Sequence, residues 1–162
     1  MKHEASTTCR ASMNGARCKF EYLEHTADVY IVAYGSDLLE LFSNAGLALF
    51  ETMTDTSRID GRVKKTVKAL GFDLESLLYK WLEELLILYY SENIMCKEVV
   101  AEKLEIRRAA DGVEYELVGF CIGEEFDLNR HVPRIEVKAV TYHLMKILLS
   151  ENTWRAYFVL DI

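Results

Sequence analysis

Residues 28–53 read DVYIVAYGSDLLELFSNAGLALFETM, and the hydrophobic pattern changes once within them. The first seven residues are rich in β-branched and aromatic side chains, which predicts a buried strand over 28–34. A Gly-Ser turn follows, and Asp37 with Glu40 three residues later has the spacing of a helix start. Apolar residues then recur at helical intervals to about Met53. The stretch therefore predicts a strand, a turn and a first helix.

A second strand and a second helix follow in the same order. Residues 61–70 alternate basic and apolar side chains, which indicates a half-exposed strand. Gly71-Phe72-Asp73 introduces a helix whose apolar stripe is wide, and this width predicts the central helix of the core. The stripe consists of Leu74, Leu77, Leu78, Trp81, Leu82, Leu85 and Tyr89.

The pattern changes to a period of two after Cys96, where charged and apolar residues alternate. This period predicts antiparallel strands, because Asp-Gly between alternating runs is a strong hairpin signal. The predicted elements are a hairpin turn at Asp111-Gly112, a loop over 123–127 and a last strand over 154–161. The pattern of residues 132–149 suits either a strand or a helix, and we favour a strand to about Tyr142 followed by a short helix over 143–149.

These elements predict the fold class and the domain organisation. The chain has 162 residues, of which 51% are hydrophobic, and this is enough for one domain with a substantial core. Residues 1–18 are polar and irregular, so we expect a flexible N-terminal extension before a single domain at 19–162. The expected class is α+β, with two main helices packed on a mostly antiparallel β-sheet.

The charge balance bears on possible partners. The chain carries 19 basic and 26 acidic residues, a net charge of −7. This balance disfavours direct, non-specific RNA binding, which depends on Lys and Arg neutralising phosphates. A local basic patch at Arg62, Lys64, Lys65 and Lys68 stays open as an alternative. An acidic surface is compatible with cations or with a basic patch on a partner protein.

The cysteines and the hydropathy pattern indicate the cellular compartment of the protein. No C-x-x-C pair occurs among the four cysteines, which argues against a zinc ribbon or a thioredoxin-like site. Cys96 and Cys121 lie in apolar contexts, so we expect reduced core residues rather than a disulfide. The apolar stretches are too short for a membrane span, and the N-terminus lacks the apolar core of a signal peptide. The expected location is intracellular, in the cytoplasm or the nucleus, without membrane association.

No self-contained catalytic set is visible in the sequence. Rossmann, Walker and G-x-S-x-G patterns do not occur, and the four histidines do not have zinc-helix spacing. Segment 138–143 combines a cation, a hydroxyl, a phenol and an imidazole, which must find hydrogen bonds if they are buried. The acids Asp55, Asp60, Glu124 and Glu125 are most simply solvated surface residues.

The two ends of the predicted domain carry acids that suggest a cation site. Asp161-Ile162 directly follows an apolar run, and a terminus held in a strand delivers its α-carboxylate to a fixed place. Together with the Asp161 side chain, this gives two oxygen anions for a hard cation. His25 and Asp28 would converge in a turn but diverge in a strand. The alternative is that the last strand simply ends there, with His25 as a capping residue and Asp28 as a strand-edge acid.

Several segments together resemble the archease family. The H-T-A-D motif, the K-A-x-T-Y segment and the closing D-I occur in that order, and jointly they are specific. The resemblance spans roughly residue 20 to the end. It is carried by FEYLEHTADV (20–29), AYG (33–35), MTD (53–55), GEEF (123–126), VKAVTYH (137–143) and DI (161–162).

The resemblance implies a function in tRNA splicing. Archeases assist the RtcB-type tRNA-splicing RNA ligase by promoting its guanylylation and multiple turnover, and they are not themselves the ligase. The resemblance implies that the protein contacts RNA only indirectly, through the ligase. The implied metal ligands are Asp28, Asp161 and the Ile162 main-chain carboxylate, with Ca²⁺, Mg²⁺ or Mn²⁺ as the divalent cation. The implied supporting or partner-facing residues are His25, Lys138, Thr141 and His143.

Two functions from other classes are weighed against this one. The first is a stand-alone metal-dependent phosphoester hydrolase, with Asp28 and Asp161 as ligands and His25 or His143 as the base. The second is a chaperone-like module that binds client proteins through exposed apolar surface and does not depend on Asp28.

Overall fold

A computed structural model describes residues 18–162 as three layers of secondary structure. The predicted N-terminal extension falls on residues 1–17, which lie outside the described residues, and on Cys18. A short 3-10 helix, Thr56–Arg58, follows the first α-helix. The other elements are β1 (Phe20–Leu23), β2 (Val29–Gly35), α1 (Leu38–Met53), β3 (Val63–Gly71), α2 (Leu74–Glu92), β4 (Ile94–Ala109), β5 (Gly112–Glu125), β6 (Ala139–Ser150) and β7 (Thr153–Asp161).

The strands form two sheets, and the two helices lie between them. One sheet has the order β1-β2-β7-β6 and the other has the order β3-β5-β4, with antiparallel pairing throughout. Helix α1 contacts β2 and β4, whereas α2 contacts β3 and β6, so each helix touches both sheets. The predicted α+β class with two main helices on antiparallel strands is confirmed, and the strands divide into two sheets.

Side-chain caps fix the start of both helices. The Asp37 side chain accepts a hydrogen bond from the Glu40 backbone N–H at 2.8 Å. At α2 the Asp73 side chain accepts from the Ser76 N–H at 2.7 Å, and the Ser76 hydroxyl accepts from the Asp73 N–H at 3.1 Å. These bonds satisfy backbone donors that have no partner inside a helix, which explains why the helices begin there.

Helix α1 is the more enclosed of the two helices. Eleven of its sixteen residues are buried, and it packs against β2 and β7, the two central strands of the four-stranded sheet, as well as against β4. The apolar stripe predicted for α2 faces the core, and α2 buries seven of its nineteen residues. The indole N–H of Trp81 donates to the Phe42 carbonyl at 3.0 Å and joins the two helices. Both helices therefore contribute to the core, and α1 rather than the predicted α2 is the more buried of the two.

Two glycines of β5 allow the backbone of the neighbouring strand β4 to approach closely. A Cβ on Gly119 would lie 2.0 Å from the Val100 carbonyl oxygen and 2.9 Å from the Trp81 ring. A Cβ on Gly123 would lie 1.9 Å from the Met95 carbonyl oxygen. Real Cβ atoms do not approach so closely, so these positions require glycine for steric reasons.

The prediction for residues 132–149 is wrong in two respects. The strand begins at Ala139 rather than at residue 132, and residues 143–149 continue it instead of forming a helix. A register shift between Thr141 and Lys146, with Leu144 at φ 57°, interrupts the pairing with β7. A short apolar run suits either structure, and pairing with a distant strand decides between them. Similarly, the predicted loop at 123–127 begins later, because β5 continues to Glu125.

The expectation of reduced core cysteines is also wrong. Cys96 and Cys121 are fully buried, and they form a disulfide between β4 and β5 with their Cα atoms 5.6 Å apart. A register shift between Cys96 and Glu98 accompanies this arrangement. The two residues are 25 positions apart in the sequence, so their proximity depends on strand register and is not visible locally.

Candidate functional site

Strand register brings the acid of the H-T-A-D motif next to the last acid of the chain. Val29 pairs with Leu160 in the β2–β7 ladder, and Asp161 pairs with Ala139 in the β6–β7 ladder. Asp28 directly precedes Val29, so Asp28 and Asp161 lie at the same end of neighbouring strands. Residues that are 133 positions apart in the sequence thus meet at one sheet end.

Segment 138–143 borders the same sheet end. The Lys138 backbone N–H donates to the Asp161 carbonyl at 2.7 Å, and the Thr141 hydroxyl donates to the Val159 carbonyl at 3.2 Å. These bonds fix β6 against the end of β7. The Lys138 side chain is exposed, so its ammonium is available to an external group.

The two histidines also lie at this end. His25 is in the connection between β1 and β2, where the chain bends. Its ring centroid lies 6.2 Å from that of His143 and 5.9 Å from that of Tyr30. Within residues 18–162 the buried His25 Nδ1 atom has no hydrogen-bond partner. The structure thus brings together His25 and His143, which the sequence separates widely.

The two acids are not neutralised by the rest of the described chain. Asp28 and Asp161 are half-buried, and neither side chain forms an ion pair or hydrogen bond with any residue of 18–162. Partly buried carboxylates without a counter-charge are suited to an added cation. No group of three or more His, Cys, Asp or Glu side chains in this range is placed to hold a metal. By donor chemistry the site fits a hard cation only if a main-chain oxygen contributes a further ligand.

A second polar cluster surrounds Glu124, which sequence analysis assigned to the solvated surface. The Glu124 side chain is only 4% exposed, so that assignment is wrong for this residue. It accepts hydrogen bonds from the Asp60 N–H at 3.0 Å and from both terminal nitrogens of Arg130 at 3.0 Å. Burial alone would raise the pKa of Glu124, but these bonds and that from His131 outweigh it and hold the pKa at about 2.

His131 completes the Glu124 cluster. Its Nδ1 accepts a hydrogen bond from the Asp127 N–H at 2.9 Å, so the proton is on Nε2, which donates to Glu124 at 2.7 Å. The imidazole also stacks on Phe126, with ring centroids 5.5 Å apart. The cluster therefore ties the loop after β5 to the start of β3. No local sequence signal indicates it, since Asp60 and Arg130 are 70 positions apart.

The basic patch considered for RNA binding is largely neutralised by neighbouring acids. Arg62 lies 3.1 Å from Glu124, and two lysines of β3 also form ion pairs. Lys64 differs from these, because its ammonium lies 4.0 Å above the Phe120 ring. The lysine pairs are Lys65 with Glu92 at 2.8 Å and Lys68 with Glu116 at 3.3 Å.

Neither helix within residues 18–162 is long and apolar enough to cross a membrane.

Comparison with known proteins identifies the family. The model of the archease protein family (MTH1598/TM1083) matches residues 20–162. The protein archease of Sulfurisphaera tokodaii is 45% identical over 144 residues, which are 89% of this chain and 99% of the relative. The protein archease of Pyrococcus furiosus is 43% identical over 145 residues, again 89% and 99% of the two chains.

Solved structures agree with this assignment. The solution structure of Methanobacterium thermoautotrophicum protein 1598 is 40% identical, with a TM-score of 0.73 over 89% of this chain and 99% of that one. A crystal structure from Thermotoga maritima, described as an archease and possible chaperone, has a TM-score of 0.52 at 22% identity. It covers 86% of this chain and 94% of its own, and it supports the fold alone. On the family match and the relatives together, the chain belongs to the archease family.

Proposed function

We propose that this chain is a metal-binding protein that activates an RtcB-type RNA ligase in tRNA splicing. It would promote guanylylation of the ligase and multiple turnover without being the catalyst. Membership of the archease family supports the proposal. The observation that carries it is the β2–β7 register, which places the unpaired carboxylates of Asp28 and Asp161 at one sheet end.

The proposed ligands are three oxygen donors. They are the Asp28 side chain, the Asp161 side chain and the main-chain carboxylate that Ile162 carries when it ends the chain. Ionised oxygen donors suit Ca²⁺, Mg²⁺ or Mn²⁺, with water completing the shell. A divalent cation supplies concentrated positive charge, which attracts phosphate oxygens and stabilises developing negative charge. The ligand set and the identity of the metal are part of the proposal.

The neighbouring residues would position this site and present it to the ligase. The Lys138 N–H bond holds the main chain of Asp161, and the Thr141 hydroxyl bond holds β6 beside it. The exposed ammonium of Lys138 and the exposed imidazole of His143 are free to meet a partner surface or an anionic group. The His25 ring lies 6.2 Å from that of His143, and within residues 18–162 its buried Nδ1 atom has no hydrogen-bond partner.

A ligation assay tests the proposal. The cognate RtcB-type ligase is used in small amount with GTP, Mn²⁺ and excess RNA that has 3′-phosphate and 5′-hydroxyl ends. We expect the wild-type protein to convert a single-turnover reaction into many turnovers, and Asp28→Asn to lose this effect. Asp111→Asn, in the exposed hairpin turn, is the matched control and should stimulate normally. Absence of stimulation by folded wild-type protein would refute the proposed function.

The same assay separates the two alternative functions. A stand-alone hydrolase would turn over a phosphoester without any ligase, and Asp28→Asn would abolish that turnover. A chaperone-like module would raise ligase yield to the same extent with wild type and with Asp28→Asn, because it acts through apolar surface. Stimulation that needs both the ligase and Asp28 contradicts both alternatives.

A further inference from the structure

A groove of about 400 Å³ lies between helix α2 and the start of strand β6. One wall consists of apolar and aromatic side chains of the helix, and the other consists of the residues that lead into the strand. Those used below are Tyr79, Ile87 and Tyr90 on the helix side and Lys138 and Ala139 on the strand side. We call this surface the α2–β6 groove, and its volume is large enough to receive side chains of a binding partner.

Large apolar and aromatic side chains are exposed along the α2–β6 groove. Ile87 is 47% exposed and Tyr90 is 52% exposed, although both belong to a helix whose other side faces the core. Tyr142, which contacts Tyr79, is 54% exposed. Exposed apolar residues that form one patch mark interaction surfaces, and tyrosine is enriched among the residues that dominate binding energy. The groove thus has the composition of a protein–protein interface.

The aromatic side chains of the groove are already held in place. The Tyr90 hydroxyl donates a hydrogen bond to the Val137 carbonyl at 2.6 Å. The rings of Tyr79 and Tyr142 are nearly parallel, with their centroids 4.2 Å apart. Because these side chains are ordered in the free protein, binding a partner costs less conformational entropy than ordering mobile side chains would.

The groove is continuous with the candidate metal site. Lys138 and Ala139 line the groove, and both also contact the last strand. The Lys138 N–H bonds to the Asp161 carbonyl at 2.7 Å, and Ala139 pairs with Asp161 in the β6–β7 ladder. A protein that occupies the groove therefore also lies beside the sheet end that carries Asp28 and Asp161.

Charge indicates which kind of protein fits the groove. Helix α2 contains four glutamates and one lysine, which gives it a net charge of −3. The single cation, Lys80, is paired with Glu83 at 3.1 Å. Glu84 of the helix and Glu136, which precedes Val137, form no ion pair within residues 18–162. A protein that binds RNA surrounds the phosphates with Lys and Arg, and an acidic helix beside an apolar groove is complementary to such a surface.

We infer that the α2–β6 groove is the surface on which the RNA ligase of the proposed function docks. The inference rests on that proposed function, since it adopts the ligase as the partner. Ile87 and Tyr90 contact apolar side chains of the ligase, and the acids of α2 face the basic residues around its RNA-binding site. Docking in this position directs the sheet end with Asp28 and Asp161 towards the ligase.

The test measures binding of the cognate ligase directly, by fluorescence anisotropy of the labelled protein in a metal chelator and without RNA. Ile87→Lys places a charge in the apolar part of the groove and should weaken binding at least tenfold, whereas Ile87→Leu should bind as wild type. Ile106→Lys is the matched control, because Ile106 is 62% exposed on β4 of the other sheet, and it should not change the affinity. Binding by wild type should weaken as the salt concentration rises.

Failure of this inference and failure of the proposed function give different results. Binding that Ile87→Lys weakens and Ile106→Lys does not supports the docking surface, and the ligation assay then decides the activator function separately. If wild type stimulates ligation and Ile87→Lys binds and stimulates equally, the groove is not the docking surface and the proposed function stands. Equal loss with Ile106→Lys, or no ligase binding by wild type, also overturns the inference. A dimer in sedimentation velocity that Ile87→Lys dissociates would assign the groove to a second copy of this chain instead.

Discussion

Replacing Glu124 by Gln would remove one buried charge while keeping the shape of the side chain. In the wild type this carboxylate joins the start of β3 to the loop after β5. It accepts from the Asp60 N–H, from Arg130 and from His131, and it lies 3.1 Å from Arg62. Since the partners come from separate parts of the chain, we expect the substitution to lower the free energy of unfolding rather than to act locally.

The magnitude follows from the lowered pKa of Glu124. The fall from 4.5 to about 2 corresponds to about 3 kcal/mol of stabilisation of the ionised form. Solvent weakens part of this, because the Arg62 and Arg130 side chains are 64% and 41% exposed. We therefore expect Glu124→Gln to cost about 2 kcal/mol at pH 7, which for a chain of this length lowers Tm by about 4–8 °C.

The pH dependence gives the sharper test, because its sign is fixed. The folded-state pKa of Glu124 lies below the unfolded value, so the stabilisation is complete above about pH 4.5 and is lost as the pH falls towards 2. Wild type and Glu124→Gln should differ most at pH 7, and at pH 2.5 the difference should have fallen to about a quarter of that value. Urea denaturation followed by circular dichroism at pH 7, 4.5 and 2.5 measures the difference.

The neighbouring glutamate provides the matched control for this prediction. Glu125 is exposed and forms no ion pair with a residue of the described range, so Glu125→Gln should change stability by less than about 0.5 kcal/mol at every pH. A difference between wild type and Glu124→Gln that stays constant from pH 7 to 2.5 would refute the electrostatic reasoning. A loss at pH 7 no larger than that of Glu125→Gln would do the same.

Three further outcomes are expected. If Asp28, Asp161 and the Ile162 carboxylate bind Ca²⁺ as proposed, Ca²⁺ at a hundred times Kd should stabilise the protein by about 2.7 kcal/mol. Adding one residue after Ile162 should weaken this stabilisation; an unchanged calcium-induced shift in Tm would remove Ile162 from the proposed site. Gly119→Ala should destabilise by about 1–3 kcal/mol, because its Cβ would overlap a backbone oxygen 2.0 Å away. Gly61→Ala, whose nearest neighbour is a side-chain methyl at 3.0 Å, is its control in the same urea titration. Replacing Cys96 and Cys121 together by Ala should lower stability by about 3 kcal/mol, because the disulfide closes a 25-residue separation; equal denaturation midpoints would show that the bond does not stabilise the fold.

Local pattern was sufficient for the elements whose signals are contained within them. Helix α1 begins after Asp37 and ends at Met53, as its cap and its apolar spacing predict. The hairpin at Asp111-Gly112 and the strand after Asp28 are likewise found where expected. In each case a cap, a turn residue or a period specifies the backbone within a few residues.

Local pattern failed where a distant partner decides the structure. Residues 143–149 are apolar enough for a helix, and they form a strand because β7 offers backbone partners. Cys96 and Cys121 meet only because β4 and β5 pair in one register. Glu124 looks like a surface acid in sequence, and only the fold buries it among Asp60, Arg130 and His131.

The sequence by itself determined the α+β class and most element boundaries, because capping, turn geometry and hydrophobic period act over a few residues. The family motifs, which are visible in the sequence, also pointed to Asp28 and Asp161 as candidate site residues. Tertiary structure alone decided that these acids meet at one sheet end, and that Glu124 is buried among Asp60, Arg130 and His131. Strand register sets which distant residues are neighbours, and register results from packing of the whole chain.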